Sequence, residues 1–151
     1  MEYYTEAKEK HFLAGIILIA KETNKILLVF PKKFETQKGE KLTKEQKRKW
    51  SIPKGHIENT GKIEAAKKEL KEETGISIFG NPENSIEVAY EKSRTKKKLT
   101  AYVFYSDVEF PVGNYDRKEI SKIKYFTQKE ALKKVEPYFK KMIKQAFAKN
   151  I

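Results

Sequence analysis

The chain has no cysteine. This excludes disulfide frameworks, thiolate metal sites and cysteine nucleophiles together. Arginine is nearly as scarce: of 33 basic residues only Arg48, Arg94 and Arg117 are arginine, and the rest are lysine. Sequence-specific reading of nucleic acid leans on the arginine fork, so this composition argues against it. No long hydrophobic run is present either. The longest, Phe12 to Ala20, is too short to span a bilayer. Glu2 and Glu6 occupy positions where a secretory signal carries positive charge, and no small-residue cleavage pattern follows Ala20. The expectation is a soluble, cytoplasmic protein with no membrane partner. Residues 1–151 are read as one domain: 38% hydrophobic and 12% aromatic residues are too many for a disordered chain.

What is abundant is lysine. With 21 acidic residues the formal net charge is +12. Two readings compete. One is attraction of phosphates; the other is a solvated lysine-rich surface with no particular ligand.

The apolar pattern predicts a mixed α+β fold. Phe12–Ala20 reads as a central strand buried on both faces, and Lys25–Phe30 as its partner across a turn. A basic insertion, 32–49, follows with eight basic and three acidic residues, and a short helix is expected near Thr43 to Lys49. Trp50–His56 reads as a short strand leading into a Pro/Gly loop. A helix is expected from Lys62 to Thr74, with Ile63, Ala66 and Leu70 on one face and Gly75 as its stop. Further strands are expected at Ile76–Phe79, Ile86–Lys92, Leu99–Val108 and Ile120–Phe126, with Lys92–Lys98 as a basic hairpin tip. Thr127 and Glu130 form a capping box. Beyond Pro137 a last helix spans about 138–149.

The chemistry concentrates on one helix. Glu69, Glu72 and Glu73 fall within five residues, at spacings of three and four that bring carboxylates together on one side. Glu73 borders the apolar stripe and Glu72 points furthest from it. Acids near a helix C-terminus oppose the dipole, so the cluster calls for a compensating cation. A hard divalent ion, Mg²⁺ or Mn²⁺, suits such oxygen ligands. The competing reading is a Glu/Lys-rich helix with surface pairs such as Glu64–Lys68.

Context favours the metal. The stretch from Gly55 to Ile76 resembles the loop–helix–loop signature of the Nudix hydrolases, GX5EX7REUXEEXGU. Lys68-Glu69-Leu70-Lys71-Glu72-Glu73-Thr74-Gly75-Ile76 matches REUXEEXGU, and Trp50-Ser-Ile-Pro-Lys-Gly-His-Ile-Glu58 resembles the entry to that box. Two departures stand out. The box is one residue short, with Gly61 where its first Glu belongs and neither Glu58 nor Glu64 in register. Lys68 replaces the box arginine and loses its bidentate fork. The resemblance implies an α/β/α sandwich around a mixed sheet. It also implies metal ligation by Glu69, Glu72, Glu73, the backbone of Gly55 and, from a later loop, Glu119. Glu69, Glu72 and Lys68 would serve the catalytic step, with Glu69 a ligand or the water-activating base. Lys54 would bind a non-reacting phosphate.

For the substrate, the Trp-x-x-Pro-Lys-Gly-His-Ile-Glu wording is similar to members that cleave diadenosine or diphosphoinositol polyphosphates. Tyr102, Phe104 and Tyr138 are candidates for base stacking. The leading expectation is a small-molecule polyphosphate such as Ap4A. The alternatives are capped or 5′-triphosphorylated RNA, a diphosphoinositol polyphosphate, and a non-catalytic nucleotide- or RNA-binding module. The oligomeric state stays open.

Overall fold

The computed structural model describes residues 11–36, 40–57 and 61–149. Its first strand sets the architecture. β1 (Phe12–Ala20) is buried over eight of its nine residues, because an unbroken apolar run has no face to give to water. Successive side chains point to opposite sides, so Leu13, Ile17 and Ile19 enter one core and Ala14, Ile16 and Leu18 the other.

β2 (Lys25–Pro31), β3 (Lys54–His56), β4 (Asn84–Lys92), β5 (Thr95–Ser106) and β6 (Ile120–Thr127) complete a six-stranded sheet. The order is β4-β5-β1-β2-β6, with β3 also paired to β1. β1 and β5 run parallel, and the other pairings are antiparallel.

One helix covers the first face. α2 (Lys62–Thr74) buries Ala65, Ala66 and Leu70 against Ile16, Leu18 and Leu27. The opposite face is closed by α3 (Gln128–Lys134) and α4 (Lys140–Ala148), through Ala131, Met142, Ile143 and Phe147. A four-residue helix, α1 (Lys44–Lys47), lies in the basic insertion behind a Thr43/Gln46 capping box. The result is the α/β/α sandwich around a mixed sheet that the sequence implied. Among the described residues no helix is long and apolar enough to cross a membrane.

The site depends on how β1 shares its edge. β2 pairs with β1 only at Ile19↔Ile26 and Ala20↔Lys25, then diverges. Into the gap comes β3, at Leu13↔His56, Ala14↔Gly55 and Gly15↔Lys54. Residues just before β3 tie the divergent strands together: the Ile16 N–H donates to Pro53 O (3.1 Å), and Val29 and Ser51 exchange both backbone bonds (2.8 and 2.9 Å). The split leaves a cavity.

Several sequence expectations need correction. Ile76–Phe79 pairs with no strand among the described residues. Its alternation is real, since Ile76 and Ile78 are buried, but they cover the α2 face of the core and the Ile76 N–H donates to Thr74 Oγ1 (3.1 Å). Trp50–His56 is inverted: Trp50 and Ser51 make only isolated bridges, and the strand lies at Lys54–His56, where a loop was expected. The basic tip shrinks to Ser93 and Arg94, both at positive φ, because β4 and β5 stay paired out to Lys92↔Thr95. The last helix begins as a 3₁₀ turn, Pro137–Phe139, before α4.

α2 ends as expected, at Gly75, which adopts φ 75° and donates its N–H to Lys71 O. The position is doubly constrained. A Cβ there would stand 2.4 Å from the Gly113 carbonyl carbon and 2.6 Å from the Asn114 nitrogen, both backbone atoms. Gly75→Ala therefore combines left-handed strain with a clash that no side-chain rotation relieves. A loss of about 2–4 kcal/mol in urea denaturation is expected.

Candidate active site

α2 presents its glutamates according to their distance from the apolar stripe. Glu73 is only 7% exposed, Glu69 is half-buried, and Glu72 stands in solvent. The two inner carboxyls stand close enough to act on each other, and Glu73 lies beside Lys54. Gly55 lets Glu69 come so close. A Cβ at position 55 would lie 2.2 Å from Glu69 Cδ and 2.4 Å from Oε1. β3 and α2 are thus fitted together at a glycine.

Electrostatics follow from this packing. Burial, and then the Glu69 charge, push the Glu73 carboxyl up to about 9, against the pull of Lys54. Glu69 is raised as well, by burial and then by Glu72. A carboxyl pair that cannot lose both protons cheaply is one that a divalent cation stabilises on replacing the proton. Lys54 shows the reverse effect: burial lowers its ammonium to about 8, Glu73 opposes the shift, and Lys92, Lys97 and Lys33 add to it.

Glu119 reaches the same place from a separate segment. The loop before β6 is fastened to the end of α2, where the Gly113 N–H donates to Thr74 O (2.9 Å) and the Asp116 N–H to Glu72 O (2.8 Å). These bonds satisfy helix carbonyls that would otherwise lack partners. They also bring Glu119 close enough to raise both Glu69 and Glu73.

The resulting cavity, about 500 Å³, has Glu69, Glu73 and Glu119 on its wall together with Lys33, Lys54, Gly55, Lys97 and Lys118. Glu72 and Lys68 do not line it. They pair with each other across one helical turn at 3.7 Å, both well exposed. Among the described residues no three His, Asp or Glu side chains are already disposed to hold a metal ion. The fit to a hard divalent cation rests on two neighbouring carboxyls that burial and mutual repulsion keep from ionising together, a glycine cradle beneath one of them, and a third carboxylate within electrostatic reach. Glu58, weighed above as a substitute for the missing box glutamate, lies outside the described residues.

The aromatic candidates separate. Phe104 is buried in the α2-side core and Tyr102 packs beside it; neither lines this cavity. Tyr138 lines a second, adjoining cavity, but Tyr90 stacks on its ring at 4.5 Å. Trp50 packs between Phe30 and Phe126, as a core residue does. Sequence reasoning did not single out Lys33, Lys97 or Lys118. The basic segments were visible, but which of their lysines turn inward is decided by strand register.

The NUDIX domain model matches residues 10–146. The chain belongs to the NUDIX family. Its reaction class is therefore that of a Nudix pyrophosphohydrolase, consistent with a carboxylate pair set among lysines. No curated protein sequence matches the chain. Solved structures with the same fold include a C. elegans Ap4A hydrolase binary complex (TM-score 0.71, 18% identity, 91% of this chain and 95% of that one). The MutT protein from Methanosarcina mazei Go1 is similar too (TM-score 0.66, 19% identity, 92% and 94%). So is a bifunctional NMN adenylyltransferase/ADP ribose pyrophosphatase from Francisella tularensis, complexed with AMP and a Mn ion (TM-score 0.70, 17% identity, 99% of this chain and 47% of that one).

Proposed function

We propose that this Nudix enzyme hydrolyses a pyrophosphate bond in a dinucleoside polyphosphate such as Ap4A, with Mg²⁺ or Mn²⁺ as cofactor. The observation that carries the reading is the Glu69–Glu73 carboxyl pair, seated on Gly55 within a lysine-lined cavity. The likeness to the C. elegans Ap4A hydrolase supports the choice of substrate at the level of fold. Cation binding falls to Glu69, Glu73, Glu119 and the Gly55 carbonyl, with Glu72 joining from the outer side of α2. A divalent ion bound there supplies charge neutralisation and a more acidic water.

The protein's own groups do the rest. Glu69, on the cavity wall beside Glu73, would accept the proton of the attacking water. Lys54 keeps most of its positive charge near neutrality and holds a phosphate that does not react. Lys68, through its contact with Glu72, steadies that carboxylate.

The test is chromatographic separation of the cleavage products formed from Ap4A, ADP-ribose, nucleoside triphosphates, capped and triphosphorylated RNA and inositol pyrophosphates; Ap4A should give ATP and AMP, or two ADP, with no inorganic phosphate. Ap4A is expected to turn over fastest with Mg²⁺ or Mn²⁺ and to be stable in EDTA. Faster turnover of an RNA or inositol substrate would replace Ap4A as the assignment. No turnover of any of them would overturn the enzymatic reading in favour of a binding module.

A further inference from the structure

Residues 107–119 carry the chain from β5 to β6, and Glu119 reaches the glutamate cavity at the end of that loop. The loop is fastened in steps. Ser106 Oγ donates to Val108 O (2.7 Å), the Tyr125 hydroxyl to Phe110 O (3.0 Å), and the Gly113 N–H to Thr74 O at the end of α2 (2.9 Å). The next tie to α2 is Asp116, whose N–H donates to Glu72 O (2.8 Å). From there the chain leaves the helix and gains the cavity wall through Arg117, Lys118 and Glu119, all of them exposed. Packing does little to hold so short and exposed a stretch.

Asp116 organises the turn instead. Its carbonyl accepts the N–H groups of Glu119 (3.2 Å) and Ile120 (3.0 Å), and its side-chain Oδ1 accepts the Lys118 N–H (2.9 Å). An aspartate closing onto the backbone two residues on takes the place of a turn hydrogen bond. One residue thus joins α2, which carries Glu69, Glu72 and Glu73, to the turn that carries Glu119. On the far side the Glu119 carbonyl receives the Lys32 N–H (2.7 Å). Glu119 is held through its backbone, so the direction of its side chain follows from the turn. Lys118 and Glu119 line the cavity, whereas Asp116 does not.

We propose that Asp116 is a positioning residue for the cation site: its side chain closes the turn that sets Glu119 against Glu69 and Glu73. It touches neither cation nor substrate and acts through Glu119. This rests on the reading of Glu119 as part of that site. Without Oδ1 the Lys118 N–H turns to water and the turn loosens. A bound ion must then order Glu119 itself, and that cost appears as weaker binding. The charge of Asp116 is a separate matter. Asparagine keeps the Oδ1 acceptor and removes the charge, whereas alanine removes both.

Titration of metal-free protein with Mn²⁺, following the electron paramagnetic resonance of the unbound ion, separates these effects. Asp116→Ala should bind about fivefold more weakly, the change that one net hydrogen bond supports. Asp116→Asn should stay within about twofold of wild type. In a Glu119→Gln background, Asp116→Ala should add less than about twofold, because the group it positions is already gone. Thr127→Ala removes a side-chain cap of similar kind at the start of α3 and should leave Mn²⁺ binding unchanged. Circular dichroism checks that each variant folds. Wild-type binding by Asp116→Ala would overturn the proposal. So would equal weakening in Asp116→Asn, which would assign the effect to charge, equal weakening in Thr127→Ala, or full additivity with Glu119→Gln. Wild-type Mn²⁺ binding by Glu119→Gln would instead refute the placement of Glu119 in the cation site, and the role of Asp116 would fall with it.

Discussion

Glu73→Gln should lower Ap4A hydrolysis by roughly a thousandfold while making the metal-free protein more stable at alkaline pH. The two effects have one origin. Glu73 is buried beside Glu69, and its carboxyl is held up to about 9 in the fold against an ordinary value of 4.5. Between those values the folded protein keeps a proton that the unfolded chain has released. The stability this contributes is complete below 4.5 and is lost as pH rises through about 9. In EDTA the melting temperature of wild type should therefore fall as pH rises across that window, and saturating Mg²⁺ should restore it most at the high end. Glutamine mimics the protonated acid at every pH and removes that component of the slope. A variant that melts lower than wild type at pH 8.5 in EDTA would contradict the account. So would one that keeps wild-type turnover.

Gly55→Ala should separate activity from stability in the opposite manner to Gly75→Ala. The added methyl meets the carboxyl end of Glu69, within 2.2 Å of Cδ. The end of a flexible side chain moves at little cost, whereas the Gly113 backbone facing Gly75 cannot. Global stability should therefore change by less than about 1 kcal/mol. Glu69, however, is displaced from Glu73, and misplacing a catalytic group by about an ångström costs on the order of a hundredfold in rate. Urea denaturation and Ap4A hydrolysis, measured on the same sample, make the comparison. Wild-type activity in Gly55→Ala would show that Glu69 need not sit on β3.

Where the sequence could be read, local chemistry dictated the outcome. α2 begins and ends where its apolar spacing and Gly75 indicated, and Thr127 and Glu130 make the expected reciprocal cap. β1 is buried on both faces because nothing in it is polar. Of the residues named from the family motif, Glu69, Glu73 and Glu119 line the cavity, whereas Glu72 and Lys68 do not. The errors have a common cause. Ile76–Phe79 carries a strand-like alternation, but no sheet edge is available to it. Lys54–His56 is a strand because β2 diverges from β1 and leaves backbone groups to satisfy. Neither fact is encoded within the segment itself. The gathering of lysines around Phe34 was out of reach for the same reason. Phe34 and Lys49 from the basic insertion meet Lys92 and Glu136 from two other stretches, and only the folded sheet brings them to one cavity.

The central claim is that Glu69 and Glu73 hold a divalent cation. Titration of metal-free protein with Mn²⁺, following the electron paramagnetic resonance of the unbound ion, tests it most directly. Wild type should bind Mn²⁺ with release of protons. Glu73→Gln and Glu69→Gln should each bind about tenfold more weakly or worse, and the exposed Glu22→Gln should match wild type. Undiminished Mn²⁺ binding by Glu73→Gln would contradict the assignment.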